Sequence, residues 1–166
     1  MKKNKNINNW ITLRKKKLFF GVKQKNLCEL KNWHIKTNKI YHASKKFFQV
    51  VGIRIKTNFH KKKSWDQPLV FQNELGILGI LRRKKRGIFH YLMQAKMEPG
   101  NINKIQLSPT VQATKSNFTR VHSGKKVKYL NFFKNLKRKQ ILINSIQSEQ
   151  GSRYLFKFNK NIIINV

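Results

Sequence analysis

The chain has 166 residues, 39% of them hydrophobic, and carries 38 Lys or Arg against five acids, a formal charge of +33. That length fits one domain of the usual ~100–150 residues, and the apolar content lies above the range of disordered chains. Cys28 is the only cysteine, which excludes an intrachain disulfide and a cysteine-built metal cluster.

Residues 1–17 are polar and lysine-rich, and little order is expected of them; the remainder, 18–166, reads as one folded unit. The basic opening MKKNKNINNW is not followed by an apolar run, so no secretory signal is expected. NLCELKNW (26–33) spaces Leu27, Leu30 and Trp33 as a short helix, and IKTNKIY (35–41) reads as a small hairpin around Thr37 and Asn38. KFFQVVGIRIK (46–56) alternates as a strand, with Val51, Ile53 and Ile55 opposed to Arg54 and Lys56. HKKKSWDQP (60–68) reads as a loop closed by Pro68, and 76–96 as strand, basic turn, strand. The longest apolar stretch, LGILGIL at 75–81, is far short of the ~20 residues that cross a bilayer, so a cytoplasmic location without membrane contact is expected.

INKIQLSPTVQAT (102–114) is extended, with Pro109 marking an edge or a bulge. In VKYLNFFKNLKR (127–138), Tyr129, Phe132, Phe133 and Leu136 fall at i, i+3, i+4 and i+7, which predicts a helix. QILINSIQS (140–148) and NIIINV (161–166) are strands on either side of SEQGSRYLFKFNK. The sum is a mixed α/β (α+β) domain with a largely antiparallel sheet and flanking helices.

A charge of +33 favours polyanions, because Lys and Arg neutralise phosphates and release counterions. Over-use of Lys, Asn and Ile with scarce Ala and Gly also fits drift in an A/T-rich genome. A basic RNA-binding or ribosome-associated protein therefore stands as one reading. Against it, FHYLMQAKMEPGNINKIQLSPTVQAT (89–114) holds only two lysines. Written as strands, it sets His90, Gln94, Lys96 and Glu98 on one polar face, and Gln106, Ser108, Thr110, Gln112 and Thr114 on another. Amides and hydroxyls at alternate positions suit the lining of a pocket for a polar ligand; they also suit packing beneath a loop. EPGN (98–101) is a turn in which Gly100 is free to take positive φ. No phosphate-binding glycine loop, metal-ligand spacing or nucleophile motif is present, and the five histidines are scattered.

SWDQP (64–68), ELGILGIL (74–81), HYLMQAKMEPGN (90–101), QLSPTVQAT (106–114), NFTRVH (117–122) and QSEQGSRY (147–154) occur in this order. Together they resemble the NDP-hexose 2,3-dehydratases of deoxysugar biosynthesis, over roughly residues 10–166. The resemblance implies a Nudix-like fold acting on a dTDP-linked 4-keto-6-deoxyhexose with no metal and no redox cofactor. It implies two repeats in one chain and a dimer, whereas here one repeat, similar to the N-terminal half, stops at NIIINV. Pairing with a second repeat chain, homodimerisation and an inactive remnant repeat truncated at its C terminus are the resulting alternatives. The acidic box of Nudix hydrolases is absent, so pyrophosphate hydrolysis is not expected.

Elimination of a C2 hydroxyl β to a C4 ketone needs a base, an acid and donors to the enolate oxygen. The resemblance makes His90 or Glu98 the candidate base and Lys96 the enolate stabiliser or acid. Gln94, Gln106 and Gln112 are candidates for holding sugar hydroxyls or carbonyls, with Glu149 among the substrate contacts. Trp65 is a candidate to stack on thymine, and Arg120 and Arg153 to hold the diphosphate. The bland counterparts are a core anchor for Trp65, a surface charge for Arg120 and a satisfied buried residue for His90.

Overall fold

The computed structural model of the protein describes residues 2–59, 61, 63–118 and 126–166. Its strands form two sheets. The first is ordered β1-β2-β3-β4-β10, from β1 (Trp33–Lys36), β2 (Lys39–His42), β3 (Gln49–Lys56), β4 (Ser64–Phe71) and β10 (Tyr154–Leu155). The second runs β7-β6-β5-β11-β9, from β5 (Gly76–Lys85), β6 (Ile88–Met97), β7 (Ile105–Pro109), β9 (Ile141–Ser148) and β11 (Phe158–Asn165), with β8 (Val111–Thr114) also paired to β5. Two pairs, β4 with β10 and β5 with β11, are parallel and the others antiparallel, as expected of a mixed, largely antiparallel α/β architecture.

Several local expectations hold. The hairpin around Thr37 and Asn38 forms, and the basic turn between β5 and β6 closes on Arg86 and Gly87, both at positive φ. Others need correction. Residues Lys2–Lys17 form helix α1 where little order was expected, and the Arg14 guanidinium sits 4.6 Å from the centre of the Trp10 ring one turn earlier. SWDQP lies within strand β4 and not in a loop, with Asp66 opposite Arg54 and Pro68 opposite Gly52. Proline is tolerated there because β10 joins β4 only at Val70 and Phe71, leaving an open edge at Pro68.

The helix expected over 127–138 is broken into 3-10 turns at Leu130–Phe133 and Arg138–Gln140. Tyr129 and Asn135 take left-handed backbone, with φ of 62° and 54°. The segment has no acid to offset its cations, and a helix would bring Lys134 and Arg138 together as an i,i+4 like-charge pair. The aromatic periodicity still serves packing, because Leu130 and Phe133 turn onto the sheet. NLCELKNW likewise yields only a 3-10 turn at Leu27–Glu29.

Two small buried clusters hold the second sheet. Leu81, Ile162 and Ile164 form one, Val111, Ala113 and Leu130 the other, and Ile77 and Phe133 pack against both. Phe133 reaches that position because residue 79 is glycine: a Cβ there would lie 2.6 Å from the ring.

The 102–114 segment does not keep a single alternation. β7 pairs with β6, from Met93–Pro109 to Met97–Ile105, whereas β8 pairs with β5 from Gly76 to Gly79. The switch falls at Pro109 and Thr110, where proline supplies no N–H to continue a ladder. β6 correspondingly leaves β5 after the Leu81–Leu92 pair, so the sheet forks. Thr110, 4% exposed, bridges the fork: its hydroxyl accepts from the Leu81 amide at 3.0 Å and donates to the Leu92 carbonyl. Thr110 and Ser108 are thus buried, Thr110 at the wall of a cleft, while Leu107 is left 46% exposed.

Candidate functional site

Two clefts open beside this fork. The first, about 420 Å³, is lined from β6 and its following turn by Lys96 and Glu98, from β8 by Gln112 and Thr114, and from the β9–β11 region by Glu149, Tyr154, Lys157 and Asn159. Of five acids in the chain, two line this one cleft and a third, Glu74, lies behind it. The other two are placed elsewhere: Glu29 is 4.0 Å from Lys25, and Asp66 makes two 2.9 Å bonds to Arg54 on exposed strands.

Each charged group in the cleft has an identifiable support. The Lys96 ammonium lies 2.8 Å from Glu98, both half-exposed. The EPGN turn closes through the Asn101 amide, which donates to the Glu98 carbonyl at 3.0 Å, and Gly100 does not use positive φ. Glu149 accepts from the Asn159 side-chain amide at 2.8 Å. Asn159, 9% exposed, lies across Gly76, its ladder partner on β5, where a Cβ would stand 2.2 Å from the Asn159 side-chain Oδ1.

Lys157 is 4% exposed and donates to the Glu74 carbonyl. Burial lowers its pKa from the ordinary 10.5, partly offset by Glu149 and Glu74. The Glu74 carboxylate accepts from the Ser116 hydroxyl at 2.8 Å and amide at 3.2 Å. Burial alone would raise Glu74, but those bonds, the Thr114 hydroxyl and Lys157 together outweigh it and hold the carboxyl below its ordinary value. Tyr154 moves the other way: burial first, then Glu149 and Glu98, raise its phenol above the ordinary 10.0. The cleft therefore offers two carboxylates, two ammonium groups and a phenol that stays protonated, together with neutral amides and hydroxyls. That set can accept a proton, donate one and stabilise an oxyanion.

The second cleft, about 710 Å³, shares Lys96 and Gln112 with the first and is also lined by Gln94. Of the residues singled out in the sequence, Lys96, Glu98, Gln112 and Glu149 meet at the first cleft, and Gln94 joins Lys96 and Gln112 at the second. Gln106 is the ladder partner of Lys96 and is exposed. His90 is elsewhere, opposite Arg83 near the β5–β6 turn and beside Tyr91 and Phe132. Six residues of strand separate it from Lys96, about 20 Å. Trp65 donates its ring N–H to Gln67 at 2.8 Å and lines neither cleft. The Arg153 carbonyl accepts from the Val70 amide at 2.9 Å, and the residue is exposed and lines neither cleft. Arg120 lies outside the described residues.

Tyr154, Lys157 and Asn159 escape the sequence reading. Their signal is faint: Lys157 stands between Phe156 and Phe158, and Asn159 is one of several polar residues at the start of β11 (FNKNIIIN). Among the described residues no three of His, Cys, Asp and Glu gather as metal ligands, and no helix is long and apolar enough to cross a membrane.

Comparison with known proteins bears on this arrangement. The family model described as NDP-hexose 2,3-dehydratase matches residues 4–166. The chain is 47% identical over 130 residues to a dTDP-4-dehydro-6-deoxy-alpha-D-glucopyranose 2,3-dehydratase of Saccharopolyspora spinosa, covering 78% of this chain and 27% of that protein. A protein of the same description from Amycolatopsis orientalis is 39% identical over 162 residues, covering 93% of this chain and 34% of the relative. A third, from Streptomyces violaceoruber, is 43% identical over 141 residues, with 83% and 32% covered. The chain spans about a third of the length of these curated relatives.

Proposed function

Because the chain belongs to the NDP-hexose 2,3-dehydratase family, we propose that its first cleft receives the hexose of a dTDP-linked 4-keto-6-deoxy sugar and eliminates the C2 hydroxyl. The single observation that carries this reading is the gathering of Glu98 and Glu149 with Lys96, Lys157 and Tyr154 around one cleft of an otherwise acid-poor protein.

The C3 hydrogen of such a sugar is acidified by the neighbouring C4 ketone. Glu98 takes that proton, and the C3–H electrons pass to the C4 oxygen as an enolate. Lys96, within reach of the same space, stabilises the oxyanion. The enolate then collapses, the C2–O bond breaks, and the departing hydroxyl leaves as water with a proton from Tyr154, which its surroundings keep protonated. The remaining enol tautomerises to a 3,4-diketo sugar. Gln112 and Glu149 hold sugar hydroxyls, the latter fixed by Asn159. The carbonyl already present drives the chemistry, so the step consumes no reductant or oxidant.

Pairing with a second repeat, or with another copy, is part of the proposal. β9 is an edge strand of its sheet, with Leu142, Ile143 and Ile146 at 41%, 49% and 65% exposed. Such an edge offers both backbone groups and apolar surface to a partner.

Exchange of the C3 hydrogen with deuterated water tests the base independently of full turnover. Glu98→Gln is expected to slow it by about 10²–10⁴-fold, the usual contribution of a general base. His90→Ala leaves it unchanged. Persistence of rapid exchange in Glu98→Gln, or its loss in His90→Ala, overturns the assignment.

A further inference from the structure

The second cleft differs in chemistry from the first. Its walls bring Arg14, Lys96, Lys126 and Lys128 together and contain no acid. Two large rings flank these cations: Trp10 is 40% exposed and Tyr129 46%, so neither is spent on the core. The Arg14 guanidinium already lies over the Trp10 face at 4.6 Å. Tyr129 is held on left-handed backbone, φ 62°, an uncommon state for a residue with a side chain. Between the rings the floor is apolar, from Ala95, Met97 and Ile105. Lys96 and Gln112 line both clefts, so the two spaces adjoin at these residues.

Half-exposed aromatic faces beside several cations and above an apolar floor suit a planar base joined to phosphates. We infer that the second cleft is the nucleoside-diphosphate subsite, with Trp10 stacking on the base and Arg14, Lys126 and Lys128 holding the diphosphate. The hexose then reaches past Lys96 and Gln112 into the acid–base cleft. Helix α1 on this view is a functional wall of the site and not a basic tail. The inference rests on the reading of the first cleft only for the direction in which the sugar points. It replaces Trp65 with Trp10 as the stacking ring, since Trp65 lines neither space.

Calorimetric titration of the full chain with dTDP, thymidine, inorganic pyrophosphate and a short oligothymidylate at physiological salt tests it. The expected result is dTDP binding tighter than either thymidine or pyrophosphate alone, and tighter per site than the oligomer. Trp10→Ala weakens dTDP by about ten- to a hundredfold, the range of a lost base–aromatic stack. Trp10→Phe, which keeps a ring, retains most of the affinity, and Lys128→Gln provides a second variant away from α1. Circular dichroism confirms that α1 is intact in each. Affinity for dTDP unmoved by Trp10→Ala and Lys128→Gln overturns the inference. So does pyrophosphate binding as tightly as dTDP, which would mean a simple anion site, or an oligomer that outcompetes dTDP, which would mean a nucleic-acid groove. Glu98→Gln leaves dTDP affinity unchanged. If dTDP binds as expected while Glu98→Gln still exchanges C3 hydrogen, the acid–base assignment fails and the subsite stands. If Glu98→Gln stops exchange while dTDP affinity ignores Trp10 and Lys128, the subsite fails and the acid–base assignment stands.

Discussion

Replacing Gly76 with alanine probes the geometry behind Glu149. The new Cβ would lie 2.2 Å from the Asn159 side-chain oxygen and 3.3 Å from its Cγ, while the Ala113 carbonyl, at 4.0 Å, is at an ordinary distance. The short Asn159 side chain can swing aside, so the steric term is small, but swinging breaks the 2.8 Å bond to Glu149. A hydrogen bond to a charged group contributes about 1.5–3 kcal/mol, and exchanging glycine for alanine in a strand returns about 0.5–1, leaving a net loss of about 1–2 kcal/mol. Urea denaturation of the single and double variants measures this. In an Asn159→Ala background the obstruction is gone, and Gly76→Ala is expected to be neutral or stabilising. Equal destabilisation in both backgrounds would refute the claim that Gly76 exists to seat Asn159.

Thr110→Val removes the hydroxyl at the fork while keeping its volume. It leaves the Leu81 amide and the Leu92 carbonyl without that partner, for an expected loss of about 2–5 kcal/mol in the unfolding free energy; Thr110→Ser recovers most of it. Acid titration of stability isolates Glu74, whose folded pKa lies below the ordinary 4.5. A carboxyl depressed on folding contributes stability that is full above its unfolded pKa and is lost as pH falls through the folded value. Glu74→Gln is therefore expected to flatten the stability–pH curve below 4.5 and to leave its slope near neutrality unchanged.

How far the sequence reveals this molecule depends on whether the controlling interactions are local. Period-two alternation identifies β3 and the β5–β6 hairpin correctly, because one face of each strand meets a neighbour. The composition gap at 89–114 contains Lys96, Glu98 and Gln112, which the fold brings to one cleft. The same alternation fails at Ser108, which is buried, because a change of ladder partner at Pro109 is not a property of periodicity. Helical spacing over 127–138 is read too literally, since left-handed Tyr129 and Asn135 break it. Asn159 and Lys157 stay hidden because their significance depends on Gly76 and Glu74, more than 80 positions away. His90 shares strand β6 with Lys96, and strand parity cannot convey that about 20 Å separate them.

The fork at Thr110 has a mechanical meaning for the site. Lys96 belongs to the ladder that β6 forms with β7, whereas Gln112 belongs to one built on β5. Two lining residues of the first cleft thus belong to ladders that diverge from one sheet, and the Thr110 hydroxyl is a clasp where they part. At that point a side chain, and not an unbroken backbone ladder, ties β5 to β6. Local changes around residue 110 therefore bear on how Lys96 and Gln112 stand relative to each other.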